Sequence, residues 1–135
     1  MYDHILIPVS LDGSRDIDTA KKAAKVLANK GARITLLHAF QHIPTYVMDY
    51  IPADTFEHTR SAAKAELEEV GADLPEAEAV ITDGTAGTAI VDWANKNEVD
   101  CIIIASHEPE FADYLLGSNA ARVVRHAHCA VHVIR

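Results

Sequence analysis

Two short runs constrain this chain most: Ile5-Leu6-Ile7-Pro8-Val9 and Cys101-Ile102-Ile103-Ile104-Ala105 are apolar at every position. A strand with one wet face alternates apolar and polar residues, so a strand without alternation is covered on both sides. Helical signals separate these runs. Asp12-Gly13-Ser14 turns into a stretch whose apolar residues Ile17, Ala20, Ala24 and Leu27 recur at three and four, with Gly31 as the expected stop. Ile34–Ala39 reads as a second strand, Thr55–Val70 as a helix stopped by Gly71, and Ala79–Ile81 as a short third strand. Thr85–Asn97 reads as a helix with Ala86, Ala89, Ile90, Trp93 and Ala94 inward. Ser118–His126 is the last helix and Ala130–Ile134 the last strand. Strands and helices thus alternate from end to end. The order predicts an α/β fold, a three-layer, doubly wound, five-stranded parallel sheet. Phe40–Asp54 breaks the pattern and reads as a long loop, of the kind that is usually functional or mobile.

At 135 residues the chain is long enough to bury a core without a disulfide or a structural metal, and it is expected to form one domain. Twenty acidic against twelve basic residues leave a formal charge of −8. That balance opposes a nucleic-acid or anionic-membrane surface, which needs clustered positive charge. No run nears the roughly 18 apolar residues of a membrane span. The opening Met1-Tyr2-Asp3-His4 lacks the basic start of a signal peptide. Cys101 and Cys129 fit no zinc or redox spacing and read as buried thiols. Together these features lead to an expected cytoplasmic location.

In a doubly wound sheet, ligands sit beyond the carboxyl ends of the strands, where strand order reverses. Here those ends are Val9-Ser10, Ala39-Phe40, Thr82-Asp83-Gly84 and Ala105-Ser106-His107. Gly117-Ser118-Asn119 opens the last helix. Its free N–H groups and the positive end of the helix dipole suit an anion, although the same residues serve equally as an ordinary cap. His126, His128, Cys129 and His132 invite a zinc reading, but alternation along a strand puts Cys129 and His132 on opposite faces. Ser106 and His107 are chain neighbours and should point apart, so they do not form a nucleophile–base pair. No catalytic residue is assigned.

The runs Ile102–His107, Tyr114-Leu115-Leu116-Gly117-Ser118-Asn119-Ala120-Ala121 and Val124-Arg125-His126-Ala127, with the final strand, resemble the universal stress protein family. Ile5–Val9 and the Val80…Asp83-Gly84 turn match its pattern too. The form Ser-His-x-Pro…Tyr-Leu-Leu-Gly-Ser-Asn-Ala-Ala is similar to one small single-domain subgroup. The resemblance implies a flavodoxin- or Rossmann-like strand order, a homodimer joined through the last strand and, in many members, bound ATP or a related adenine nucleotide.

The resemblance implies Pro8, Val9 and Ala39 around an adenine, Gly84 beside the sugar or base, and Gly117, Ser118 and Asn119 at the phosphates. The acid that nucleotide-binding members place on the ribose falls on Ser10, with Asp12 as its substitute if the turn is longer. Those members carry Gly-x-x-Gly, nine residues, then Gly-Ser or Gly-Thr. In this chain Ala105 and Glu108 replace the two glycines, Ser106 and His107 lie between them, and eight residues separate Glu108 from Gly117. Glu108, Glu110 and Asp113 would repel a triphosphate unless Mg²⁺ intervenes. Simple alternatives remain for several positions. Pro8, Val9 and Ala39 could be strand-end packing, Gly84 a turn requirement, and Asn119 a side chain in water.

Two functions stand beside each other at this point. One is a cytoplasmic dimer that binds ATP or AMP as a regulatory ligand with little or no hydrolysis, and that acts on an unidentified protein partner. The other is a nucleotide-free dimeric interaction module of the same family. A metal-responsive role for His126–His132 is a distant third.

Overall fold

The computed structural model describes residues 1–11, 17–41, 45–106 and 117–135. Asp12, His107, Glu108, Glu110 and Asp113, named above as candidate or opposing groups, lie outside the described residues. In chain order the elements are β1 (Tyr2–Pro8), α1 (Ile17–Leu27), β2 (Ala28–Phe40), α2 (Thr45–Met48) and α3 (Ala53–Val70). They continue with β3 (Glu78–Asp83), α4 (Ala86–Lys96), β4 (Cys101–Ala105), α5 (Ser118–His126) and β5 (Ala130–Ile134).

The five strands form one sheet in the order β3-β2-β1-β4-β5, and every pairing is parallel. The chain winds outward from β1 to β3, then returns past β1 to lay down β4 and β5. The reversal therefore falls between β1 and β4. Alternate residues of the two apolar runs serve opposite layers. Ile5, Ile7, Cys101 and Ile103 pack with Ala20 and Ala24 of α1 and Leu67 of α3. Leu6, Ile102 and Ile104 pack with Ile90 and Ala94 of α4 and Ala120 and Val123 of α5. A strand feeding two cores has no place for a polar residue, which is why both runs lack alternation.

Several boundaries differ from the sequence reading, among them the ends of β1, which runs Tyr2–Pro8, and of β3, which runs Glu78–Asp83. Helix α1 ends at Leu27, short of Gly31, and β2 starts at Ala28. Gly31 adopts φ +78° inside this extended stretch, where the register jumps from Tyr2↔Ala28 to His4↔Arg33. Glycine takes that conformation without a Cβ clash, so it accommodates an irregular strand entry rather than a helix stop. The Phe40–Asp54 stretch contains the one-turn helix α2, and α3 begins at Ala53 rather than near Thr55. No residue of α2 is buried, so no apolar stripe betrays it.

Near the amino ends of the strands the core holds a polar pair. His4 and Thr35 are 5% and 0% exposed. The His4 Nδ1 lies 3.0 Å from the Asn97 carbonyl oxygen, which can only accept, so Nδ1 carries the proton. Nε2 then accepts from the Thr35 hydroxyl at 2.9 Å, and Trp93 meets the imidazole edge-on at 5.8 Å between ring centres. Burial pushes the His4 pKa below its ordinary 6.5, which keeps the ring neutral. Burial likewise raises the Cys101 thiol to about 11 and that of Cys129 above its usual value. Both cysteines are unpaired, with Cys101 buried and Cys129 half-buried. As protonated thiols they are poor nucleophiles. No helix among the described residues is long and apolar enough to cross a membrane.

Candidate functional site

The ends of β1, β2 and β4 enclose a cleft of about 130 Å³ at the point where strand order reverses. Its floor is Pro8, Val9 and Ser10 from β1 and the residues after it, Leu37, His38 and Ala39 from β2, and Ile104 and Ala105 from β4. Ala86 and Ile90 of α4 and Asn119 of α5 form the side. The cleft is smaller than the roughly 300–1,000 Å³ that encloses a whole small molecule. It suits one flat ring, with the rest of a ligand lying outside.

Of the residues singled out in the sequence, Pro8, Val9, Ser10, Ala39, Ala105 and Asn119 meet at this cleft. Ser106 does not line it. Its side chain is buried and its hydroxyl donates to the Ile134 carbonyl at 3.1 Å, while its backbone N–H donates to the same oxygen at 2.8 Å. That use ties the end of β4 to the end of β5. Gly84 lies at the end of β3, outside the cleft lining, with φ +114° and its N–H on the Phe40 carbonyl at 2.8 Å. A side chain at that φ would be strained, so the turn by itself calls for glycine. Gly117 is the buried N-cap of α5 and Ser118 its exposed first residue. Gly117 has no side chain to cap the free N–H groups of that helix, and such groups with the positive end of the dipole suit an anion.

Asn119 is half-buried rather than solvated. Its Oδ1 accepts the Gly87 N–H at 3.1 Å, so a side chain from α5 satisfies an amide in the first turn of α4. This contact fixes the amide orientation and leaves Nδ2 as the donor of the pair. Gly87 permits the approach, because a Cβ there would stand 3.0 Å from Arg122 Cδ and 3.2 Å from its Cβ. Asn119→Ala is expected to lower stability by about 0.5–2 kcal/mol, as loss of a helix cap does. Asn119→Asp, which keeps the acceptor, should lose less. Urea unfolding of the two variants checks the order.

Sequence reasoning missed His38. It lines the cleft and donates from Nδ1 to the Val9 carbonyl at 2.9 Å, bridging the ends of β1 and β2. A histidine directly after the apolar pair Leu36-Leu37, at the strand end where a ligand would be sought, was the available signal. Thr82 was named above only as part of a strand end, with no role assigned. It pairs with Ala39 in the sheet, and its hydroxyl is buried with no hydrogen-bond partner among the described residues. Unpaired buried polar atoms are uncommon in folded proteins. Arg122, Arg125, His126, His128 and His132 are exposed. Among the described residues no three His, Cys, Asp or Glu side chains gather as metal ligands.

The comparisons with known proteins agree on one family. The model of the universal stress protein family matches residues 1–135. Universal stress protein A homolog 2 of Coxiella burnetii is 30% identical over 139 residues, spanning 99% of this chain and 95% of that protein. Among solved structures, that of hypothetical protein MJ0577 superposes with a TM-score of 0.82 at 26% identity, covering 99% of this chain and 96% of the other. A universal stress protein in complex with cAMP shares the fold at 19% identity, TM-score 0.70, over 99% and 97% of the two chains. An Arabidopsis thaliana member with AMP bound does so at 18%, TM-score 0.63, over 97% and 90%. The Archaeoglobus fulgidus protein in complex with dAMP does so at 20%, TM-score 0.60, over 99% and 98%.

Proposed function

Because the chain belongs to the universal stress protein family, we propose that it binds an adenine nucleotide, ATP or AMP, as a regulatory ligand. One observation carries the reading: a ring-sized cleft with apolar walls lies where strand order reverses, and Asn119 of α5 is part of its wall. Val9, Ala39 and Ile90 offer flat apolar contact for a purine. The N–H groups at Ser118 and Asn119, which begin α5 beyond Gly117, would receive the phosphates. The solved relatives that hold cAMP, AMP and dAMP support an adenine nucleotide as the class. Mg²⁺ would accompany a triphosphate, offsetting the acids of the 108–113 segment.

The chemistry is that of a binding site. Among the described residues His38 is the one titratable group on the cleft wall, and its Nδ1 proton is held by the Val9 carbonyl. The described part of the wall carries no carboxylate to draw a proton from water, and the reading is of a ligand that stays intact. Occupancy would then act by shifting the conformation of the 40–54 stretch and so the choice of protein partner.

The active form in this proposal is a cytoplasmic homodimer paired along β5. That strand is an edge of the sheet, with Val131 and Val133 half-buried, and an apolar edge invites pairing. Native mass spectrometry of freshly purified protein, followed by identification of any released molecule, tests both parts. The expected result is a dimer carrying ATP or AMP. An empty dimer that also ignores added ATP–Mg²⁺ overturns the nucleotide reading and leaves the interaction module. A monomer at micromolar concentration overturns the pairing.

A further inference from the structure

We propose that a second cavity, separate from the cleft, binds an uncharged, largely apolar small molecule. It encloses about 610 Å³, inside the range of pockets that take a whole ligand. The proposal does not depend on the nucleotide reading.

The cavity lies beyond the carboxyl ends of β2 and β3, beside α2 and the first turns of α3. Phe40 at the strand end, Met48 and Ile51 around the end of α2, and Phe56 on α3 supply its apolar wall. These four side chains belong to neither of the two hydrophobic cores. They converge from three segments on a space instead of on one another. Met48 is 46% exposed, and methionine is the side chain best able to reshape around different apolar guests.

Charge sets the ligand class. The ionic groups of the lining are Arg60 and Asp83, and they pair with each other. The Arg60 guanidinium also sits 5.7 Å from the centre of the Phe40 ring, a cation–π contact. An anion would meet Asp83 and a cation would meet Arg60, so a charged guest would have to break a pair already made. A neutral guest leaves it intact. Thr59 donates its hydroxyl to the Thr55 carbonyl at 2.8 Å, which leaves the lone pairs of the Thr59 Oγ1 for a guest with one hydroxyl or amine. Aromatic or short aliphatic molecules with one such group fit both the wall and the rim.

N-phenyl-1-naphthylamine, an uncharged dye that brightens in apolar surroundings, tests the site on the intact protein. The expected result is saturable binding of one dye per chain that persists when ATP is saturating, even where occupancy of the cleft changes its affinity through the 40–54 stretch. Met48→Glu should weaken it at least tenfold, and Thr59→Trp, which fills the space from an exposed helix position, should do the same with the thermal melt preserved. Tyr50→Glu, at 87% exposure in the same segment but off the cavity wall, should leave it unchanged. Absence of saturable binding overturns the proposal, as does equal loss in all three variants. Strictly competitive displacement, with apparent dye affinity falling in proportion to ATP without limit, would place the dye in the cleft, and a changed sedimentation coefficient in Met48→Glu would make the cavity a seam between chains. Either result overturns the proposal.

Discussion

Ser118→Glu is expected to weaken AMP binding about a hundredfold while adenosine binding and the thermal melt stay unchanged. Ser118 is exposed and opens α5, so a longer side chain meets no packed neighbour among the described residues. A carboxylate in the first turn is favoured by the helix dipole, by about 0.3–1 kcal/mol, so the fold does not suffer. The same charge within roughly 5 Å of a phosphate opposes it by about 3 kcal/mol at an effective dielectric constant near 20. That corresponds to about two decades in affinity. Calorimetric titration with AMP and with adenosine separates the two parts of the ligand. Equal AMP affinity in the variant and the parent protein would remove the helix start as the phosphate site. Parallel loss of adenosine would mean that the cleft itself had been disturbed.

Thr35→Val is expected to destabilise the protein by about 1–3 kcal/mol, although valine has nearly the same shape. Thr35 is fully buried and its hydroxyl is the donor to His4 Nε2. Valine leaves that nitrogen as a buried acceptor without a partner, and such groups carry their full desolvation cost. Urea unfolding at pH 7.5 measures the loss, and a change below about 0.5 kcal/mol would contradict the assigned pair.

The same pair predicts acid sensitivity. Burial lowers the folded-state pKa of His4 below 6.5, so the unfolded chain takes up the proton first. The contribution of His4 is therefore fully present above pH 6.5, declines as pH falls through that value, and levels off below the folded pKa. Without the Thr35 hydroxyl the neutral ring is held less strongly, and the gap between the two pKa values narrows. The deficit of Thr35→Val should accordingly be smaller at pH 5 than at pH 7.5. Taking the difference between the two proteins cancels the carboxylates common to both. A deficit that does not change with pH would show that His4 is not the group responsible.

Much of the architecture was legible because burial on both faces leaves a strand a single vocabulary. Ile5–Val9 and Cys101–Ala105 could be read without knowing their partners, and Thr85 and Asn97 proved to be the caps of α4. The one-turn helix Thr45–Met48 was not legible, since it buries nothing that would repeat at three and four. The early start of β2 was hidden for a different reason: Ala28–Arg33 is extended by an irregular pairing with β1, not by its own composition.

The site divides along the same line. Local sequence determined the parallel sheet and the strand ends at which a ligand would be sought, because period and punctuation act over a few residues at a time, and the motifs of the last third carried the family resemblance. Tertiary structure alone decided that the ends of β1, β2 and β4 close on a ring-sized cleft, and that His38 ties two of them together. It also decided that Asn119 caps Gly87, 32 positions away, that Ser106 serves the last strand, and that Phe40, Met48, Ile51 and Phe56 leave a space between them. These contacts follow from how crossover helices settle on a twisted sheet, and no short stretch of sequence carries that information.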